Sequence, residues 1–174
     1  MSLTSKLKIQ SGFSLVEVLV ALIVMSVGML GIAALYIESV KSNRTALLRT
    51  QAVSLTNDMA DRIRANRTAG TRYTLVLGAN PPAAHGCATG ANCTDVNLAD
   101  DDLNSWVNTV RGPTGMPWNG ATPPKAGVTF VAAAGAGLPD QYAITITWRE
   151  PNQAPADPDY QYQLNMQVIP TPPS

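Results

Sequence analysis

The chain has no surplus of charge: its 12 basic and 12 acidic residues cancel. It therefore has no whole-molecule field to draw in nucleic acid or an anionic substrate. Histidine occurs once, at position 85, and cysteine twice, at 87 and 93. So few ligands cannot make a four-ligand zinc site, and neither a Cys/His pair nor a Ser/His/Asp set is suggested. No glycine-rich phosphate loop follows a strand, and proline is missing before Pro81. The first absence argues further against an enzyme; the second permits one long helix. Between residues 18 and 37 there is no charged side chain at all.

That uncharged stretch, VLVALIVMSVGMLGIAALYI, has Ser26 as its clearly polar residue. Twenty helical residues at 1.5 Å each span about 30 Å, the hydrocarbon thickness of a bilayer. The run is longer than the apolar core of a cleavable secretory signal, and Ala33-Ala34-Leu35 fits a signal cleavage site badly. It is apolar on every face, unlike a helix of a soluble core. Charge does not orient it: Lys6 and Lys8 precede it, while Lys41, Arg44 and Arg49 follow, opposed by Glu38. The cysteines say more. Five residues separate Cys87 from Cys93 in a Gly/Asn/Thr loop. A disulfide in an oxidising compartment is the expected reading, placing the C-terminal part outside the cytoplasm; two free thiols in a cytosolic loop is the alternative.

Directly before the apolar run stands Gly12-Phe13-Ser14-Leu15-Val16-Glu17, preceded by Lys8 and followed by VLVALIVMSVGMLG. Here the chain resembles the type IV prepilins, and its start is similar to the PilV group of minor pilins. The resemblance implies cleavage between Gly12 and Phe13 by a membrane peptidase, N-methylation of Phe13, and a meeting of Glu17 with the N-terminus of a neighbouring subunit. The physics of these residues agrees. Glycine lacks a Cβ and leaves the scissile backbone unhindered. A carboxylate at the start of a membrane helix is costly and invites a functional explanation. The new α-amino group of Phe13 is largely cationic at neutral pH and lies one helical turn from Glu17.

Beyond Ile37 the pattern turns amphipathic, with Leu48, Ala52, Leu55, Met59 and Ile63 recurring every three or four residues. This predicts one helix from about Phe13 to Arg67. Gly28, Gly31 and Ala34 form a small-residue track. Major pilins commonly break this helix with proline, and this chain departs from them. Asp100 to Val110 predicts a short helix, with Asp100, Asp101 and Asp102 at its N-terminal dipole and Leu103, Trp106, Val107 and Val110 on one face. N-terminal capping accounts for the acidic run better than calcium does. Strands are expected at 127–132, 141–149 and 160–169. The last two alternate Tyr142, Ile144, Ile146, Trp148 and Tyr162, Leu164, Met166, Val168 with polar or small residues.

The expected class is therefore α+β: a type IV pilin fold, with a long N-terminal helix packed on a small antiparallel sheet. Residues 1–12 are expected to be a removable basic leader, 13–67 the helix, its transmembrane part at about 13–37, and 68–174 an exported head. No cofactor, metal or catalytic residue is expected. The resemblance implies a minor pilin that primes pilus assembly and stays at the tip. A minor pseudopilin of a type II secretion system is the alternative, and a membrane-anchored binding domain outside any filament is a further class. Implied partners are other minor pilins, the major pilin, the inner-membrane assembly platform, the prepilin peptidase and methyltransferase, and a tip-associated adhesin. Implied locations are the inner membrane, with the head in the periplasm, before assembly and the pilus at the cell surface afterwards.

Overall fold

A computed structural model of the chain describes residues 12–89, 93–117, 122–135, 137–150, 153–154 and 156–169. The chain divides into two units, Met1–Thr45 and Ala46–Ser174. One helix, α1 (Leu15–Ala65), contributes to both. Its first turn opens when the Ser14 carbonyl accepts the Glu17 and Val18 amides at 3.0 and 3.2 Å. From Val18 to Ile37 α1 is apolar and exposed on all sides, and the helix is long and apolar enough to cross a membrane. Ser26 does not disturb this, because its Oγ donates to the Ile23 carbonyl at 2.8 Å.

In the second unit α1 turns one stripe inward: Leu48, Ala52, Thr56, Met59, Ala60 and Ile63 are buried. The spacing is that of one helix face. Leu55, expected on the stripe, packs at its margin, and Thr56 and Ala60 fill the centre. Thr56 is tolerated there because its hydroxyl donates to the Ala52 and Val53 carbonyls, each at 3.0 Å. The helix ends at Ala65, two residues before the expected Arg67. Asn66 leaves helical geometry (φ −119°, ψ 51°), and its side-chain amide donates to Tyr73 Oη at 3.2 Å and to the Asp95 carbonyl at 2.8 Å. A 3-10 segment, Arg67–Tyr73, follows and is kinked at Gly70, where φ is 51°.

The second helix, α2 (Asp95–Arg111), starts five residues before its expected position at Asp100. Thr94 is the N-cap, its side chain accepting from the Asn97 amide at 3.2 Å. Asp100, Asp101 and Asp102 therefore lie in the second turn, and the capping role read for them is corrected. Leu103, Trp106, Val107 and Val110 form the buried face as expected, and Trp106 Nε1 donates to the Leu55 carbonyl at 2.8 Å. After α2 the chain doubles back closely. A Cβ on Gly115 would sit 2.1 Å from the Thr109 carbonyl oxygen, so only glycine fits.

Three antiparallel strands complete the head in the order β1-β2-β3: β1 (Lys125–Val131), β2 (Asp140–Trp148) and β3 (Tyr160–Val168). They begin and end within two residues of the expected bounds. Val128 faces Ile144, which faces Leu164, fixing the register. The alternation works as read: Tyr142, Ile144, Ile146, Trp148, Met166 and Val168 are buried with Ala126 and Val128. Leu75 bridges Val128 from outside β1.

Candidate functional site

The N-terminal motif lies where regular structure begins. Gly12, Phe13 and Ser14 are non-helical, so the Gly12-Phe13 bond precedes the first helical turn. A Cβ placed on Gly12 would meet nothing within 4 Å, and Phe13 is 85% exposed. Peptide-bond hydrolysis needs a backbone free of regular structure and open on its sides, and Gly12 and Phe13 are non-helical and exposed. Glu17 is in the first turn of α1, four residues after Phe13. The positive end of the helix dipole favours a carboxylate there. Glu17 makes no ion pair or side-chain hydrogen bond among the described residues. The site thus places an exposed carboxylate, without a partner among the described residues, four residues after the exposed Phe13.

In the head, Cys87 and Cys93 are joined by a disulfide with a Cα–Cα separation of 5.6 Å. Around it lies a polar cluster that sequence reasoning missed. Asp100 is 2% exposed and receives Arg72 with two bonds, Nε at 2.6 Å and Nη2 at 2.5 Å, with His85 Nε2 at 3.1 Å. Asp101 accepts the backbone amides of His85 and Cys87, the latter at 2.6 Å. Asp102 accepts the Tyr73 hydroxyl at 2.6 Å and Arg62 Nη1 at 3.0 Å. Three consecutive aspartates therefore fasten α2 to three different pieces: the 3-10 segment, the disulfide loop and α1. Each carboxylate is occupied by protein donors, and among the described residues no group of three or more His, Cys, Asp or Glu is placed to hold a metal. The signal that could have found this cluster is helical phase. A helix begun at Asp95 puts Asp100 on the stripe of Leu103 and Val107, where a carboxylate needs a buried partner.

The partners set the protonation. The Arg72 guanidinium, hydrogen-bonded to Asp100, outweighs burial and holds its carboxyl below the usual carboxylate range, with His85 adding to the effect. The amide of His85, then that of Cys87, likewise lowers Asp101, against burial. Burial, and then the bond to Asp102, push the Tyr73 hydroxyl well above the usual range. Carboxyl groups lowered on folding add stability that is complete above their unfolded value near about 3.9 and is lost as pH falls through the folded values. Asp100→Asn should therefore lower the thermal midpoint at pH 7 and flatten its decline between about pH 4 and pH 2. Circular dichroism melts of both chains across that window check this; parallel pH profiles would contradict it.

A long helix, apolar through its first unit and packed through its second on a three-stranded antiparallel sheet, is the type IV pilin fold. Proteins of this class are structural subunits. Comparison with protein families makes the likeness specific. Residues 34–104 match the family described as type IV pilin Tt1218, and residues 7–33 match the prokaryotic N-terminal methylation motif. Over these segments the chain is similar to type IV pilins and carries the N-terminal methylation motif. No curated protein and no solved structure gives a significant match.

Proposed function

We propose that this chain is a minor pilin of a type IV pilus, anchored by α1 in the inner membrane with its head in the periplasm until it enters the filament. In this reading the prepilin peptidase cuts between Gly12 and Phe13, and Phe13 is N-methylated. The observation that carries the proposal is Glu17, unpartnered among the described residues, in the first turn of a helix otherwise apolar to Ile37. A carboxylate near lipid is costly, by about 2.5 to 3.5 kcal/mol at the bilayer centre and less toward the interface. A cationic N-terminus from the adjacent subunit removes part of that cost, so assembly is favoured where Glu17 finds one. The α1 helix runs without proline from Leu15 to Ala65, which supports a minor role over that of the bulk subunit. Priming follows from this reading: the chain joins other minor pilins on the inner-membrane platform, the major pilin is added beneath them, and the complex stays at the tip beside an adhesin.

Glu17→Ala tests the assembly step. Cleavage at Gly12 should proceed at the normal rate, while the amount in sheared filaments falls by about tenfold, the factor that about 1.4 kcal/mol carries. Quantitative immunoblots of membrane and filament fractions read both. Unchanged filament content would remove Glu17 from the mechanism.

A further inference from the structure

β3 is an outer strand of the sheet, and all of Tyr160–Val168 pairs with β2. Among the described residues, no backbone hydrogen bond reaches its other edge. The outer edge of β1 is different, because Leu75 and Val128 exchange both of their backbone bonds and Gly78 donates to Ala126 at 3.1 Å. Free edges are normally guarded by charge, proline, a bulge or a covering segment. The nine residues of β3, YQYQLNMQV, hold no charge, no proline and no glycine.

The two faces of this strand are regular. Tyr160, Tyr162 and Leu164 point to the core side and stay half-buried, whereas Met166 and Val168 in the same row are buried. On the opposite face Gln161, Gln163 and Asn165 are linked by side-chain amide bonds of 3.5 and 2.8 Å. Beside its first residue, Lys125 Nζ and Arg149 Nε lie 3.6 and 3.2 Å from Asp159 and share its carboxylate.

We propose that the outer edge of β3 is an interaction surface that receives an extended, uncharged strand from another protein as the fourth strand of the sheet. Its backbone would complete the open ladder. Apolar residues on one side of that strand would cover Tyr160, Tyr162 and Leu164, and neutral polar residues on the other would meet the amide row. A charge on the core side would be buried unpaired. The following Pro170, Pro172 and Pro173 lack the amide donors of a returning strand.

The test uses the full chain in detergent micelles and a fluorescent nine-residue peptide alternating valine with threonine and asparagine. Saturable binding by anisotropy is expected, with amide exchange slowed across residues 160–168. A peptide with a central proline should bind about tenfold more weakly. Leu164→Lys should weaken the chain to a similar degree, with its near-ultraviolet dichroism confirming the fold. Should that variant unfold, the proline peptide still decides. Absence of binding, equal binding of the proline peptide, or protection elsewhere would overturn the proposal. A dimer of the full chain with β3 protected would also overturn it, by making a second copy the occupant.

Discussion

A chain carrying Gly12→Val should accumulate in the membrane at full length and be missing from filaments. The fold has no reason to resist the change, since nothing lies within 4 Å of the position a Cβ would take. The whole effect therefore falls on recognition by the peptidase. A branched side chain next to the scissile carbonyl restricts the backbone and crowds the attacking group. Misplacement of reacting atoms by about 1 Å can cost about a hundredfold in rate. Processing should fall by at least about that factor, read as the intact mass of the membrane-bound chain. Head stability should stay at the wild-type value, since Gly12 is remote in sequence from the Ala46–Ser174 unit. Normal processing of Gly12→Val would place the cut elsewhere.

Trp106→Ala should produce the largest loss of stability. The indole is fully buried between α2 and the inward stripe of α1, and it contributes the bond from Nε1 to the Leu55 carbonyl. Truncating a buried tryptophan costs about 3 to 5 kcal/mol, through lost transfer energy and the cavity left behind. Domains of this size have about 5 to 15 kcal/mol in total, so the variant should be close to unfolding at 37 °C. Trp106→Phe keeps much of the volume and should lose less than half as much. Urea unfolding of the full chain in detergent, followed by far-ultraviolet dichroism, separates the two variants. A loss below about 1 kcal/mol for alanine would mean that the indole does not hold the helices together.

Much of the fold was legible because it depends on local periodicity. The strands alternate cleanly from Tyr142 to Trp148 and from Tyr162 to Val168, and the uncharged stretch before Glu38 is long and apolar enough to cross a membrane. What escaped depends on contacts distant in sequence. The start of α2 was missed because Val96 and Leu98 in its first turn are exposed and the apolar stripe begins only at Ala99. Arg72 and Asp100 lie 28 residues apart, so nothing local announces their pairing. Glycine at 127 looks like a weak strand residue, yet a Cβ there would come within 2.7 Å of Leu77 Cα. The N-terminal motif was visible throughout, since it is linear sequence next to an apolar run. The aspartate cluster belongs to the folded head and became visible only once α2 had its full length.

The central claim is that this chain is cut at one bond and built into a filament, and the mass of the mature N-terminal peptide tests it most directly. The peptide is to be taken separately from sheared surface filaments and from membranes of the native cells. The account predicts a peptide that begins at Phe13, carries one methyl group and is present in the filaments. Finding that peptide in membranes alone would contradict the pilus role and favour a secretion pseudopilus, and an uncut Gly12-Phe13 bond would contradict the processing on which the account rests.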